Sequence, residues 1–247
     1  AGGILAVQNR TGSGTGTGRV DVSAGGLLIG TGLVSVLHLG GGAISPGSAT
    51  NLVGNLLAGQ MIWTNGLYRW EVQNLAASEW DTVAGTGALT IASGIITIQV
   101  ASVQGGGQSG PADNYDVSSG YTCVIASATS IGGFDTNKFV IDSSQFVNDE
   151  GATWSVTVIS TNLALVITPP AGSSRWVYWD ANNGSAGIQA GSGVWTEGSN
   201  SWMVGGVAPN VAWDNSRRDK ALFSYQAAGP HTVRVDMAVA TNSGISM

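Results

Sequence analysis

Short apolar runs separated by glycine clusters constrain the fold of this sequence most. In the first fifty residues the runs are three to five residues long, and no Asn-Gly or Asp-Gly hairpin signal occurs among them. The glycines that separate them lie at residues 11–18, 25–26, 30, 32 and 40–42. Strands joined by glycine corners favour a β-solenoid, in which each strand pairs in parallel with its equivalent in the next coil. A Greek-key sandwich explains the same runs, but more often has a hairpin turn about every 8 to 12 residues.

Alternation of apolar and polar residues predicts strands along most of the chain. It is regular in segments 20–23, 96–100, 154–158 and 233–236. Residues 154–168 read as a hairpin around residues 160–162, where Asn162 tolerates a left-handed backbone. Residues 51–60 are the one serious helix candidate, and two glycines weaken it. The predicted inward stack comprises Leu33, Ile44, Leu89, Ile91, Ile96, Ile98, Val156, Val158, Leu165, Ile167, Phe223, Val233 and Val235.

The charge content argues against several classes of partner. Only 10% of residues are charged, and the nine Lys and Arg residues against 15 acidic ones give a net charge of −6, so nucleic acid is not an expected partner. Residues 22–68 carry no charge, but eleven glycines and Pro46 interrupt them, which disfavours a membrane span. The N-terminus has no basic region before its apolar run, so we expect a mature or excised piece.

The single cysteine, Cys123, cannot form an internal disulfide. It also has no His or second Cys at metal-ligand spacing, so a zinc site is not expected. We predict that Cys123 is a small, buried apolar side chain.

A second pattern is carried by tryptophans and glycines after the break at Pro169-Pro170. In order, its elements are Trp179-Asp180, residues 191–195, residues 199–202, residues 211–215, residues 221–223, and Gly229 with the strand 232–235. Residues 175–235 therefore resemble the autotransporter-associated β-strand repeat of large secreted bacterial proteins. Pro230-His231 and the charged residues 217–220 depart from that pattern.

Residues 40–168 resemble the segment that closes such a repeat array in related giant surface proteins. The matching elements are residues 41–47, 68–72, 80–81, 87–91, 131–135, 139–146 and 154–168. The two resemblances divide the chain into solenoid coils that end one repeat unit (1–52), a β-rich closing module (53–170) and the start of the next repeat (175–247). They imply an all-β protein, a right-handed parallel β-helix (β-solenoid) with an interposed antiparallel or mixed β-module, outside the cell or on a bacterial surface.

The residues give little support for catalysis. Polysaccharide lyases and hydrolases on β-helices need paired carboxylates or a base beside Ca²⁺, whereas the acidic residues here are scattered singly. His38 and His231 are the two possible neutral bases, and no Gly-x-Ser-x-Gly motif occurs. We therefore predict no enzyme and no catalytic residue.

Two binding sites remain as weaker hypotheses. Asp113, Asn114 and Asp116 place three oxygen-bearing side chains within four residues, which suits Ca²⁺, although an Asx turn explains them without a cofactor. Trp63 and Trp176 lie outside the repeat pattern and are candidates for stacking on surface glycans. The other tryptophans of the pattern, Trp195, Trp202 and Trp213, are predicted to be buried.

The favoured function is mechanical. Residues 2–7 and 232–239 are strand-like without a polar cap, and an uncapped solenoid end invites the addition of another strand. We predict that the protein associates end to end, with itself or with tandem repeats of the same chain, to build a filament, stalk or adhesive scaffold. The alternative is a surface protein on the same scaffold that binds or cleaves glycans.

Overall fold

The protein is all-β. The computed structural model describes residues 2–49, 52–148, 151–170, 176–182, 188–189, 191–204, 207–215, 219–223, 231–236, 238 and 245–246. The first strands are β1 (Ile4–Val7), β2 (Arg19–Ser23), β3 (Leu27–Gly30), β4 (Leu33–Pro46), β5 (Asn55–Asn74), β6 (Glu79–Trp80), β7 (Thr82–Gly85) and β8 (Leu89–Ile91). They are followed by β9 (Ile96–Gln104), β10 (Gln108–Ser109), β11 (Tyr121–Ser127), β12 (Ile131–Gly132), a short 3₁₀ helix (Thr136–Lys138), β13 (Phe139–Gln145), β14 (Thr153–Ile159) and β15 (Asn162–Thr168).

The chain forms two compact units. Unit 1 comprises residues 1–115 and 119–168, and unit 2 comprises residues 116–118 and 169–247. The division after Thr168 coincides with the Pro169-Pro170 pair, which cannot donate to a strand ladder. The division between the two units does not fall at residue 52, because β4 and β5, which lie on either side of this residue in the sequence, pair in parallel.

Parallel pairing organises unit 1 into three stacks. Stack A contains β1, β3, the end of β4, the second half of β5, β9 and β13. Stack B contains β2, the middle of β4, the middle of β5, β8 and β12. Stack C contains the starts of β4 and β5, then β7 and β11. From β4 onward the chain passes through the stacks in the repeated order C, B, A, and each strand pairs in parallel with the preceding strand of its stack.

Register within the stacks aligns apolar side chains into continuous rows. In stack A the row is Leu5, Leu28, Ile44, Tyr68, Ile98 and Ile141. In stack B the row is Val20, Leu37, Met61, Leu89 and Ile131. The interior members of both rows are buried, which forms the core of unit 1.

A glycine corner shows why the strands can turn so sharply. Gly30, at the end of β3, has a φ of +132°, and a Cβ built on it would lie 1.9 Å from the Val7 carbonyl oxygen. Its own carbonyl accepts a hydrogen bond from the Gly47 N–H at 3.0 Å. Only glycine suits both this dihedral angle and this close approach.

Within the described part of unit 1, antiparallel strand pairing is limited to the pairs β5–β6, β9–β10, β11–β15 and β14–β15. β14 and β15 form the predicted hairpin, in which Ile159 pairs with Asn162. The left-handed residue of its turn is Ser160, with a φ of 57°, and not Asn162, which already lies in β15. β15 also pairs antiparallel with β11, so the sheet is mixed.

Some predicted elements are wrong. The helix candidate at residues 51–60 contains the start of β5, because Leu56 and Ala58 alternate inward in the period of a strand. Leu33 is half-buried, since its neighbour Val34 takes the inward position and Leu33 pairs with the exposed Leu57.

The rest of the predicted inward stack divides into three groups. Ile44, Leu89, Ile91, Ile96, Ile98, Val156, Leu165 and Ile167 are buried as predicted. Val158, Phe223 and Val233 are half-buried. Val235 is 44% exposed, so its inward assignment is wrong.

Unit 2 has shorter strands. They are β16 (Trp176–Trp179), β17 (Gly193–Trp195), β18 (Trp202–Val204), β19 (Val207–Val211), β20 (Lys220–Leu222), β21 (Val233–Val235) and β22 (Ile245–Ser246). One sheet has the order β19-β18-β16-β20-β22, and β17 pairs in parallel with β21. The core of unit 2 is a cluster of Trp179, Trp195, Trp202 and Trp213 with Phe223. The centroids of neighbouring rings in this cluster lie 4.6 to 6.1 Å apart.

Candidate functional site

The first strands of stacks A and B form an open edge. Among the described residues, β1 pairs with β3 alone and β2 with β4 alone. Leu5 begins the inward row of stack A yet is 43% exposed, and Ile4 is 69% exposed. A groove of about 280 Å³ runs between β1, β2 and β3, lined by Leu5, Val20, Val22 and Leu28 among others. The apolar interior is therefore uncovered here, beside two strand edges with unpaired backbone groups.

Stack C ends differently at the opposite side of unit 1. Its last strand, β11, is covered by β15, and β15 by β14. Phe146 packs edge-to-face on Trp154, with ring centroids 5.0 Å apart. This hairpin supplies backbone pairing and apolar cover, and no strand of the described residues does so for β1 and β2 on their outer side.

A line of polar side chains crosses stack B. Asp21 on β2 pairs in register with His38 on β4, and Thr64 lies one strand further on, in β5. His38 Nδ1 lies 2.6 Å from Asp21 Oδ1, and His38 Nε2 lies 3.1 Å from Thr64 Oγ1. Arg19 also contacts Asp21, at 2.9 Å.

The carboxylate determines the direction of the hydrogen bond at Nδ1, and when the imidazole is neutral this also fixes the direction at Nε2. Ionised Asp21 can only accept, so His38 Nδ1 carries the proton that joins them. The hydrogen bond from His38 holds the pKa of the Asp21 carboxyl below its usual value, with a smaller contribution from Arg19. In the neutral imidazole Nε2 is then an acceptor, and the Thr64 hydroxyl donates to it.

A second polar cluster is buried between the two ends of β5. Asp81 Oδ1 accepts the Gly54 N–H at 2.8 Å, and Oδ2 accepts the Glu71 N–H at 3.1 Å. Ser45 Oγ lies 3.4 Å from both Glu71 carboxylate oxygens. Burial, followed by the hydrogen bond to the Glu71 carboxyl, raises the pKa of Asp81 well above its usual value. Through its two backbone hydrogen bonds, Asp81 ties the two ends of β5 together.

The residues predicted for calcium take part in hydrogen bonds within the protein. The Asp113 N–H donates to the Gln73 carbonyl at 2.7 Å, and Asn114 Nδ2 donates to Asn74 Oδ1 at 3.0 Å. In unit 2, Asp116 Oδ1 accepts from the N–H and the hydroxyl of Ser118, as in an Asx turn. Within the described ranges, no group of three or more His, Cys, Asp or Glu side chains could hold a metal ion. Calcium binding stays a hypothesis.

The two tryptophans predicted to stack on glycans have different outcomes. Trp63 is fully buried and packs edge-to-face on Tyr68 at 5.7 Å, so its assignment as an exposed stacking platform is wrong. Trp63 is buried because it occupies an inward position of stack B, where it pairs with the buried Leu39. Trp176 lies in β16, but its side chain is outside the described residues. The burial predicted for Trp195, Trp202 and Trp213 is confirmed.

Two further observations concern Cys123 and membrane insertion. Cys123 is buried as predicted, and burial raises the pKa of its thiol to about 12. Across the part of the chain that the structure describes, no helix has the length and apolar character to span a bilayer.

Sequence reasoning missed both polar clusters. Asp21, His38 and Thr64 each occupy an ordinary polar position of an alternating strand, and only the parallel register aligns them. Glu71 and Asp81 looked like isolated acids. The available signal was Glu71 within the apolar run around Trp70 and Val72, since a carboxylate there must be paired.

The comparisons with known proteins identify no family. No protein-family model matches the chain, and no curated protein is similar to it.

Proposed function

We propose that the protein is an extracellular structural module of a bacterial surface or fibre protein, and that it associates end to end through β1 and β2. The open edge with the exposed Leu5 carries this proposal. We interpret the three parallel stacks of unit 1 as the three faces of a right-handed β-helix, with the β14–β15 hairpin as its antiparallel closing element. The resemblance of residues 175–235 to autotransporter-associated repeats supports the surface location.

A strand added to this edge continues an existing pattern. In parallel register with β1, its inward side chain would lie over Leu5, as Leu5 lies over Leu28. The addition would cover the groove and satisfy the free backbone edge at the same time. The strand could come from a second copy or from another repeat of the same polypeptide, and association of the purified chain identifies the first source.

Substitution of Leu5 tests the edge. Leu5→Lys places a charge in the uncovered row, so we expect self-association to be lost while the fold is retained. Ile95→Lys is the matched control, because Ile95 is 49% exposed and lies between β8 and β9, away from the edge. Sedimentation velocity and electron microscopy should show fibres or oligomers for the unsubstituted chain and for the control. A chain that stays monomeric at high concentration would contradict association between copies of the chain through this edge.

Glycan binding is the second candidate, and a groove in unit 1 favours it. The groove has a volume of about 490 Å³ and is lined by Thr136, Phe139, Ile141, residues 153–155 and Val156. Trp154, which lies among these residues, offers an aromatic surface beside hydroxyl groups, as sugar sites require. Titration with soluble glycans should quench tryptophan fluorescence, and Trp154→Ala should abolish the quenching. Absence of quenching across a glycan panel would rule this function out.

A further inference from the structure

We propose that Asp21, His38 and Thr64 form an acyl-transfer site on the surface of stack B. In this site Thr64 is the nucleophile, His38 is the general base, and Asp21 positions the imidazole. The substrate class is a carboxylic ester with a good leaving group. Asp21 lies on β2, a strand of the proposed association edge, but this inference rests on its side-chain hydrogen bond to His38 and does not require association.

The order of the hydrogen bonds carries the inference. A hydroxyl bound to Nε2 of a histidine, whose Nδ1 is bound to a carboxylate, is the arrangement that activates an alcohol in hydrolases of unrelated fold. Here the distances are 3.1 Å and 2.6 Å, both within hydrogen-bond range. The carboxylate holds the ring in the tautomer that leaves Nε2 free to accept a proton from Thr64.

The site is open to solvent. The side chains of His38 and Asp21 are 22% and 44% exposed. Gly40 flanks the imidazole, and a Cβ at this position would lie 3.1 Å from His38 Cε1. A glycine there leaves the edge of the ring uncovered, so a small ester can reach Thr64 Oγ1 from outside.

The chemical step balances without any cofactor. Thr64 Oγ1 attacks the ester carbonyl carbon, and its proton passes to His38 Nε2. The tetrahedral intermediate then breaks the bond to the leaving oxygen, which takes that proton, so acyl-Thr64 and an alcohol result. Water, deprotonated by His38, attacks acyl-Thr64 and releases the carboxylic acid with Thr64 regenerated. General-base assistance of this kind is typically worth about 10²- to 10⁴-fold in rate.

Acetylation by p-nitrophenyl acetate tests the nucleophile. We expect the intact chain to release p-nitrophenol faster than buffer and to carry an acetyl group on Thr64, located by peptide mass spectrometry. Thr64→Val should abolish this acetylation, and Thr64→Ser should retain it on the serine. Thr90→Val is the matched control, because Thr90 is an exposed threonine of stack B on the next strand, and it should behave as the unsubstituted chain.

Two further variants separate catalysis from structure. His38→Gln should lower the acetylation rate by about 10²-fold or more, while thermal unfolding reports whether the fold is kept. Asp21→Asn should lower the rate, and Asp21→Glu should restore part of it, which a purely structural contact would not do. Thr64 that remains unmodified in the folded chain, an acetyl group found on His38 instead, or an unchanged rate in His38→Gln would overturn the proposal.

Discussion

The two units build their cores in different ways. Unit 1 distributes burial over continuous rows of side chains, such as Leu28, Ile44 and Ile98, which successive strands place in register. Unit 2 has strands of two to five residues and concentrates its burial in four tryptophans and Phe223. Many strands in register can thus spread a core over continuous rows of side chains, whereas the short strands of unit 2 rely on one cluster of very large side chains.

The largest expected effect is the loss of one ring from unit 2. Trp195 lies 4.6 Å from both Trp202 and Trp213, so Trp195→Ala should cost about 3–5 kcal/mol and open every strand of this unit. Hydrogen exchange followed by mass spectrometry measures this strand by strand. In the matched experiment on unit 1, Leu37→Ala should accelerate exchange mainly in β2, β4 and β5. If Trp195→Ala accelerated hydrogen exchange in β17 alone, the proposed difference between the cores of the two units would be wrong.

A corner substitution tests how far unit 1 depends on its backbone path. Gly30→Ala forces a side chain into a φ of +132° and against the Val7 carbonyl, and we expect a loss of about 1–3 kcal/mol. Gly3→Ala is the control, because a Cβ at Gly3 meets nothing within 4 Å. Denaturant midpoints of the two variants should differ accordingly, and equal midpoints would show that the corner relaxes freely.

The smallest expected effect is a pH dependence within unit 1. The pKa of Asp81 is raised in the folded state, so between about pH 4 and that raised value the folded chain holds a proton that the unfolded chain has released. Stability therefore falls as pH rises through this window, by up to about 1.4 kcal/mol per pH unit.

Asp81→Asn should flatten this slope, as measured by thermal unfolding across the same pH range. Asp142→Asn provides the opposite control, because hydrogen bonds from Ser144 hold the pKa of Asp142 below its usual value. An unchanged slope in Asp81→Asn would show that another group carries the dependence.

Local patterns predicted the strands well, since alternation and glycine positions depend on neighbouring residues only. The hairpin of β14 and β15 and the burial of Trp202 followed from such patterns. Trp63 and the line through His38 depend on which strands stack and in what register, and these are pairings between distant residues. For the same reason, the raised pKa of Asp81 could not be read from isolated acids along the chain.

The carboxyl group of Asp81 has one more consequence, for how the molecule tolerates changes of length. Its two oxygens accept the N–H groups of Gly54 and Glu71, so they fix how far apart these two residues can lie. An insertion or deletion between these residues would move one N–H group out of hydrogen-bonding distance. One carboxyl oxygen of Asp81 would then have no partner in the interior. Residues 105–107, in the turn between β9 and β10, carry no such tie, and two of their three glycines have open space around them. Engineered loops or tags therefore belong there.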